Sequence, residues 1–461
     1  MLTRRALLQS AALMALGANT MIDKAGAAPI DPITAETIAA DKNSPEFFAS
    51  DFFSSDPVPI TGTPDPAMQS FDDAMLSFMQ KRNVPGGSLA VVKNGKLVYA
   101  RGYGYADRES GAKVQIASLF RIASISKPIT AVAIMTLLQT PRYKLTLNTK
   151  VLPLLQVTPH LEPGAHLDPR LEQITIGHLL HHAAGFDRDK SGDPMFMPLQ
   201  IAQSVGTPAP ADTSAIIRYV FGRPLDFEPG TRYVYSNFGY CVLGRIIEKV
   251  TGQSYEAYVQ KNVLKPLSVR HMTLGRTLRA YKRPDEVCYY QPGATTISVF
   301  PESKGAAVSW CYGGFNMEAM DAHGGWLASA VDLVRFAAAL DVPQGKPLLT
   351  PESVEMLYAR PAPPLGLESD GKPSAAYYGS GWQVRPVGEE VLRHRNIWHN
   401  GSLPGTNTWL VRRWDGLTWA MLFNQRSEGN MPPDGAIDGA MHEAAAAVKT
   451  WPDHDLFQEY M

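Results

Sequence analysis

The sequence predicts a mixed α/β protein built on an antiparallel sheet flanked by helices, and three observations support this. Apolar residues recur at helical spacing between Pro66 and Lys81, and alternating residues follow from Gly87 to Asp107 around an Asn94-Gly95 turn. Such a pattern is typical of a helix followed by a tight β-hairpin. Near the other end of the chain, alternating segments predict more strands, and an alanine-rich helix follows them.

Composition favours a globular protein with a small-molecule partner. The 461 residues carry a formal net charge of −1, with 45% hydrophobic and 19% charged residues. This balance excludes global disorder and offers no electrostatic reason to expect a nucleic acid partner. The length suggests two or three domain-sized units, or one fold with a large insertion.

Residues 1–28 predict an export signal. Paired arginines at Arg4 and Arg5 precede a short apolar run, and small residues end at Ala28, as in a twin-arginine signal. The run is shorter than the roughly 20 apolar residues that a membrane span needs. We therefore expect a periplasmic or secreted mature chain without a membrane span. Residues 29–65 are rich in Pro, Asp, Ser and Thr and predict a leader or linker on the body of the protein.

The remaining elements follow in order along the chain. A short helix from Ile174 is stopped by Gly185, residues 281–320 predict a long loop, and Ser329 with Asp332 forms a capping box. Further helices are predicted at Ser214–Phe221, Gly239–Val250, Ala330–Leu340 and Asp434–Val448, and further strands at Val391–Trp398, Gly405–Trp414 and Leu417–Asn424.

A serine and a lysine at the start of an apolar helix form the first candidate for catalysis. Ser124 lies three residues before Lys127, so that both side chains share one helical face and the lysine can activate the hydroxyl. The same spacing occurs at Ser110/Lys113 and Ser369/Lys372, in polar segments that are typical of turns. Taken alone, Ser-x-x-Lys is more often a capping serine with a solvated lysine.

A serine nucleophile also needs further proton-transfer groups and donors for an oxyanion. Tyr235-Ser-Asn237 is the one Tyr-x-Asn of the chain. Tyr235 can serve as a base if nearby cations lower its pKa, and the alternative is a core tyrosine beside a turn asparagine.

The third element has four candidates, each a basic residue two positions before a glycine. They are His323-Gly-Gly325, His399-Asn-Gly401, Lys93-Asn-Gly95 and Lys190-Ser-Gly192. His399 is favoured because it ends a predicted strand, where Gly401 would let a substrate lie along the sheet edge. The N–H groups of Ser402 and Ser124 are then candidates for an oxyanion hole.

Histidines and cysteines predict neither a metal site nor a disulfide framework. His178, His181 and His182 have spacing compatible with metal ligands, but no metalloprotease glutamate follows His178, so a structural role is favoured. Of the three cysteines, Cys241 fits a buried helix, while a Cys288–Cys311 bridge is compatible with the sequence but not required. We expect no cofactor.

Together, the three motifs resemble those of serine hydrolases of the β-lactamase type: class C β-lactamases, D,D-carboxypeptidases and related esterases. The resemblance extends from about Pro66 to Val448 and implies one hydrolase domain over 66–450. An α/β lobe would comprise about 66–127 and 321–450, and a mostly helical lobe about 128–320 would be inserted into it.

The resemblance also implies roles for the motif residues. Ser124 would be the nucleophile, Lys127 its activator, Tyr235 the general base and acid, Asn237 a ligand of a substrate amide, and His399 a cation. Class C β-lactamases have a lysine where this chain has His399. Esters or D-amino-acid peptides are therefore favoured over β-lactams as substrates. A class C-like β-lactamase and a non-catalytic penicillin-binding or scaffold relative remain alternatives, as does a metal hydrolase built on the histidine cluster.

Overall fold

The computed structural model describes residues 57–303, 305–340, 347–388, 394–429 and 431–460. It confirms the predicted fold class, an antiparallel sheet flanked by helices with a mostly helical region inserted between its strands. The predicted export signal and the leader up to residue 56 lie outside the described residues.

The strands form one large sheet and two small ones. Their bounds are β1 Ile60–Thr61, β2 Gly86–Lys93, β3 Lys96–Asp107, β4 Ala112–Lys113, β5 Phe120–Arg121, β6 Thr273–Leu274, β7 Thr295–Ile297, β8 Ala307–Ser309, β9 Trp326–Ala328, β10 Tyr377–Tyr378, β11 Gln383–Pro386, β12 Arg395–Leu403, β13 Thr406–Arg412 and β14 Leu417–Phe423. Within the described residues, the large sheet has nine strands in the order β1-β3-β2-β14-β13-β12-β11-β10, with β4 beside β3.

Most helices lie between β5 and β9 in the chain. The α-helices are α1 Gln69–Arg82, α2 Ser126–Leu138, α3 Val151–Leu155, α4 Ile176–Leu180, α5 Arg188–Ser191, α6 Pro198–Val205, α7 Thr213–Phe221, α8 Asn237–Thr251, α9 Tyr255–Val259, α10 Ala330–Ala339, α11 Pro351–Tyr358 and α12 Ala436–Ala447. The capping box predicted at the start of α10 is confirmed, with Ser329 and Asp332 capping each other's backbone.

The middle of the large sheet is formed by strands from the two ends of the chain. Strand β14 pairs antiparallel with β2, and the register runs from Leu417 opposite Lys93 to Phe423 opposite Gly87. The predicted hairpin between β2 and β3 is also confirmed, with Asn94 and Gly95 both at positive φ as a two-residue turn requires.

Apolar side chains fill both faces of the sheet. On one face, α1 and α12 cover Val91, Trp419 and Met421. On the other face, α10 packs against β2 and β14, and the core continues into α2 and the helical region. Every residue of α2 except Leu138 is buried, so this helix is held rigidly from all sides.

Several details differ from the sequence prediction. Strand β12 continues through His399 to Leu403, because Asn400, Gly401 and Ser402 find partners on β13. Two short strands, β7 and β8, lie within the predicted loop at 281–320, and β10 and β11 extend the sheet at its edge. In the described chain all three cysteines are buried free thiols, so Cys288 and Cys311 are not bridged. Among the described helices, none is both long and apolar enough to cross a bilayer.

Candidate active site

Ser124 lies in a single 3₁₀ turn, Ala123–Ile125, that leads directly into α2. Two contacts to β9 hold the residues before this turn in place. The Ile122 N–H donates to the Trp326 carbonyl at 3.0 Å, and β5 pairs with β9. Ala123 adopts a positive φ of 47°, which turns the chain sharply before the serine. A half-buried hydroxyl is thereby presented at the first turn of a buried helix.

Lys127 contacts three other groups of the site. Its side chain is fully buried, and its Nζ lies 3.0 Å from Ser124 Oγ, 2.7 Å from Asn237 Oδ1 and 3.1 Å from the His323 carbonyl oxygen. The turn that carries Ser124, the start of α8 and the segment before β9 therefore meet at one nitrogen atom.

The orientation of the Asn237 amide is set by Asp193. Asn237 Nδ2 donates to Asp193 Oδ2 at 2.6 Å, which leaves Oδ1 facing Lys127. Asp193 is itself held, because its other oxygen accepts from the Met195 N–H at 3.1 Å. Two of the three contacts of Lys127 Nζ are thus carbonyl oxygens, which only accept hydrogen bonds.

Burial determines the charge state of Lys127. Removal from water lowers the pKa of Lys127 well below its ordinary value, while Asp193 opposes this shift and Arg188 adds to it. A neutral amine has two N–H groups, and the oxygens of Asn237 and His323 accept both. The nitrogen lone pair is then directed at the Ser124 hydroxyl, so Lys127 can accept its proton.

Tyr235 lies on the other side of the same hydroxyl. It hydrogen-bonds Ser124, and Lys127 Nζ lies 4.7 Å from the centre of its ring. Burial raises the pKa of Tyr235 well above its ordinary value, and the hydrogen bond with Ser124 offsets this only in part. The condition set for a tyrosinate base, a pKa lowered by nearby cations, is not met, because desolvation outweighs the charge of Arg188. In this environment Tyr235 is a neutral phenol and can act as an acid.

His399 lies in the site but does not carry the predicted charge. Its ring is buried, its Nδ1 donates to the Asn400 carbonyl at 2.7 Å, and its Nε2 lies 3.0 Å from the Tyr378 hydroxyl. Burial, which disfavours the charged imidazolium, lowers the pKa of His399 to about 3. The prediction of a cation is therefore wrong at neutral pH, where His399 accepts a hydrogen bond from Tyr378 as a neutral imidazole.

Gly401 and Ser402 lie where β12 runs past the nucleophile turn. A Cβ at Gly401 would stand 2.3 Å from the Ile122 carbonyl oxygen and 2.3 Å from Thr408 Oγ1, so only glycine allows this approach. Beyond Trp398, β12 has no partner on β11, and β12 contacts the turn that carries Ser124. The side chain of Ser402 is exposed. The predicted role of Ser402, to donate its backbone N–H to an oxyanion, does not involve this side chain and stays a prediction.

The three clustered histidines have separate partners instead of one shared centre. His182 Nδ1 accepts from the Ser236 N–H at 3.1 Å, and its ring centre lies 4.4 Å from that of Tyr235. His181 Nε2 lies 3.3 Å from Ser380 Oγ, and His178 packs against Gly230. This arrangement agrees with the structural role favoured by the sequence.

The two competing Ser-x-x-Lys segments lie far from this chemistry. Ser110 and Ser369 are both exposed in turns, and Lys372 pairs with Asp370 at 2.7 Å. The expectation that both are turns is confirmed.

Three contributors to the site were assigned no role by the sequence analysis. They are Asp193, which holds Asn237; Tyr378, which bonds His399; and Arg188, whose guanidinium carbon lies 5.1 Å from the centre of the Tyr235 ring. Asp193 and Arg188 lie in a polar, proline-rich segment in which only Lys190-Ser-Gly192 was a motif candidate, and neither residue belongs to it. Tyr378 precedes the Gly379-Ser-Gly381 run, in which Gly381 packs against the Lys127 backbone.

The buried neutral histidines predict that the fold is sensitive to acid. The folded pKa of His399 is about 3, below the unfolded value near 6.5. Its contribution to stability is therefore complete above about pH 6.5 and is lost as the pH falls toward 3. Between pH 7.5 and 5 we expect the loss from His399 to reach about 2 kcal/mol in the free energy of unfolding.

Urea unfolding of wild type and His399→Asn at both pH values measures this loss. The variant should lose about 2 kcal/mol less than wild type over the interval, because asparagine does not titrate. The same substitution at exposed His166 is the matched control. Equal losses in wild type and His399→Asn would show that His399 does not contribute to acid sensitivity.

Comparison with known proteins agrees with the fold and the spacing of these residues. The Beta-lactamase family model matches residues 71–440. The chain belongs to the β-lactamase family. Members of this family are generally serine hydrolases, and the arrangement of Ser124, Lys127 and Tyr235 is consistent with that chemistry.

Three similar proteins illustrate the range of the family. Protein flp of Staphylococcus aureus strain MW2 is 32% identical over 51% of this chain, but the match spans only 44% of that protein's length. Esterase EstB of Burkholderia gladioli is 28% identical over 80% of this chain and 95% of its own. The octameric penicillin-binding protein homologue from Pyrococcus abyssi aligns with a TM-score of 0.60 at 25% identity, over 85% of this chain and 80% of its own.

Proposed function

We propose that this protein is a serine esterase that forms an acyl-enzyme on Ser124. The observation that carries the proposal is the set of three contacts around Lys127 Nζ, of which two are to acceptor-only oxygens and the third is to Ser124 Oγ. A neutral amine in these surroundings has one lone pair available, and it faces the hydroxyl.

Acylation then proceeds with the protons accounted for. Ser124 Oγ attacks the ester carbonyl carbon while its proton passes to Lys127 Nζ, and a tetrahedral oxyanion forms. When the C–O bond to the alcohol breaks, the Tyr235 hydroxyl gives its proton to the leaving oxygen. The Lys127 ammonium then returns a proton to Tyr235, which restores both groups and leaves the acyl group on Ser124.

Deacylation repeats these steps with water in place of the serine hydroxyl. Water attacks the acyl carbonyl and gives a proton to Lys127, and Ser124 Oγ departs with a proton from Tyr235. We assign the oxyanion to the backbone N–H groups of Ser124 and Ser402. The closeness of β12 to the nucleophile turn at Gly401 supports this assignment.

Two features favour an ester over a β-lactam or a peptide. The neutral His399 cannot attract a substrate carboxylate as a lysine would. The Asn237 amide uses one of its two N–H groups on Asp193, so only the other is available for a substrate amide carbonyl. Similarity to Esterase EstB over most of both chains also supports the ester assignment.

A substrate panel tests the proposal. We expect kcat/KM for 4-nitrophenyl butyrate to exceed that for nitrocefin and for a D-alanyl-D-alanine peptide by about 100-fold or more. The carboxylates of nitrocefin and of the peptide find no cation at His399, and an amide carbonyl competes with Asp193 for Asn237. Initial rates with one enzyme preparation, active-site titrated with a fluorophosphonate, provide the comparison. Nitrocefin turnover equal to ester turnover would favour the class C β-lactamase alternative, and preferred peptide turnover would favour the peptidase alternative.

A further inference from the structure

A cavity of about 390 Å³ opens beside the Tyr235-Ser-Asn237 motif. Ser236 and Asn237 form one of its walls, and α5 with the segment after it forms another. The part of the wall that α7 and its neighbours provide is largely apolar. The apolar lining residues include Phe186, Met197, Tyr219, Val220, Leu225 and Phe238. The cavity can therefore enclose a hydrocarbon chain beside Asn237, whose Oδ1 lies 2.7 Å from Lys127 Nζ.

Most charged groups in the lining are already paired. Lys190 Nζ lies 3.6 Å from Asp226, and Arg223 bonds Glu162 at 2.8 Å. The carboxylate of Asp187 accepts from Arg232 at 2.8 Å, and Asp193 is committed to Asn237. The ion pairs leave little net charge to attract a ligand, whereas Asp193 is bonded by neutral groups and keeps its negative charge.

Arg188 differs from the other cations of the lining. Within the described part of the chain, no carboxylate lies within ion-pair distance of its guanidinium. Its guanidinium carbon lies 5.1 Å from the centre of the Tyr235 ring, so the charge sits between the cavity and the catalytic groups. An arginine can bind a carboxylate through two parallel hydrogen bonds.

We propose that the cavity binds the acyl chain of the substrate and that Arg188 binds a carboxylate on that chain. The substrate class is then a monoester of an aliphatic dicarboxylic acid, in which the apolar wall holds the methylene groups. We assign the carboxylate to the acyl part of the ester and not to the alcohol part. An alcohol whose carboxylate was bound in the cavity would be released slowly after acylation. This inference rests on the proposed esterase function.

A matched pair of esters tests the inference. Mono-4-nitrophenyl adipate and 4-nitrophenyl hexanoate have the same six-carbon acyl chain and leaving group, and only the adipate carries a terminal carboxylate. The readout is the ratio of kcat/KM for adipate to kcat/KM for hexanoate. Arg188→Gln should lower this ratio about 10- to 100-fold, the usual effect of losing a charge-assisted hydrogen bond.

Lys190→Gln is the control, because Lys190 lines the same cavity with the same charge but already has a carboxylate partner. It should leave the ratio close to that of wild type. If Arg188→Gln still hydrolyses the hexanoate and its ratio is unchanged, the inference about Arg188 is overturned while the proposed esterase function stands. If wild type hydrolyses neither ester and Ser124 is not labelled by a fluorophosphonate, the proposed esterase function fails and the inference fails with it.

Discussion

Replacing Ser124 by alanine should lower kcat for ester hydrolysis by at least about 10⁴-fold, the scale on which serine hydrolases lose activity with their nucleophile. The Oγ is the only atom removed, and it is the atom that lies 3.0 Å from Lys127 Nζ. A fluorophosphonate should label wild type on the peptide that contains Ser124 and should not label the variant. Mass spectrometry of the digested protein and initial rates on 4-nitrophenyl butyrate provide the two measurements.

Ser110→Ala and Ser369→Ala are the matched controls, since both serines have the same spacing to a lysine but lie in exposed turns. Both variants should keep the label and the activity of wild type. Labelling at either of these serines, or full activity in Ser124→Ala, would show that the nucleophile is elsewhere. Thermal unfolding of Ser124→Ala should match that of wild type, so that the loss can be attributed to chemistry.

Tyr235→Phe should lower kcat by about 10²-fold or more, as expected for the loss of a positioned proton donor. The ring keeps its contacts with His182 and with Lys127, whose distances to the ring centre are 4.4 and 4.7 Å. The free energy of unfolding should therefore change little. The measurement is kcat for 4-nitrophenyl butyrate, alongside urea unfolding of the same preparation.

Tyr240→Phe controls for the loss of a buried tyrosine hydroxyl near the site. Tyr240 donates to the Leu180 carbonyl at 2.9 Å, so its removal should cost about 1–3 kcal/mol of stability while most of the activity remains. The two variants should thus show opposite patterns, one losing turnover and the other stability. Equal kcat in Tyr235→Phe and wild type would exclude Tyr235 as the acid of this mechanism.

The order of helices and strands could be predicted closely, because it depends on local periodicity and turn chemistry. The hairpin at Asn94-Gly95 and the cap at Ser329 are short-range features, and both were found at the expected residues. The end of β12 was placed too early, because Asn400 and Gly401 are weak strand formers whose pairing with β13 overrides their propensity.

The candidate site was predictable where a motif places groups at fixed spacing in the chain. Ser124 and Lys127 are three residues apart in one turn and helix, and their contact follows from that spacing. Asp193, Arg188 and Tyr378 could not be found in this way. Their partners are Asn237, Tyr235 and His399, and each pair is joined only by long-range folding.

The sequence by itself determined the fold class, the Ser124–Lys127 spacing and the order of the three motifs, since these depend on neighbours along the chain. Only the tertiary structure decided the charge of each group. Burial lowers the pKa of Lys127 and of His399 and raises the pKa of Tyr235, so that each group is shifted toward its neutral form. The free energy of ionisation depends on surrounding water and dipoles, and residues far apart in the chain, including Asp193 and Arg188, determine both at this site.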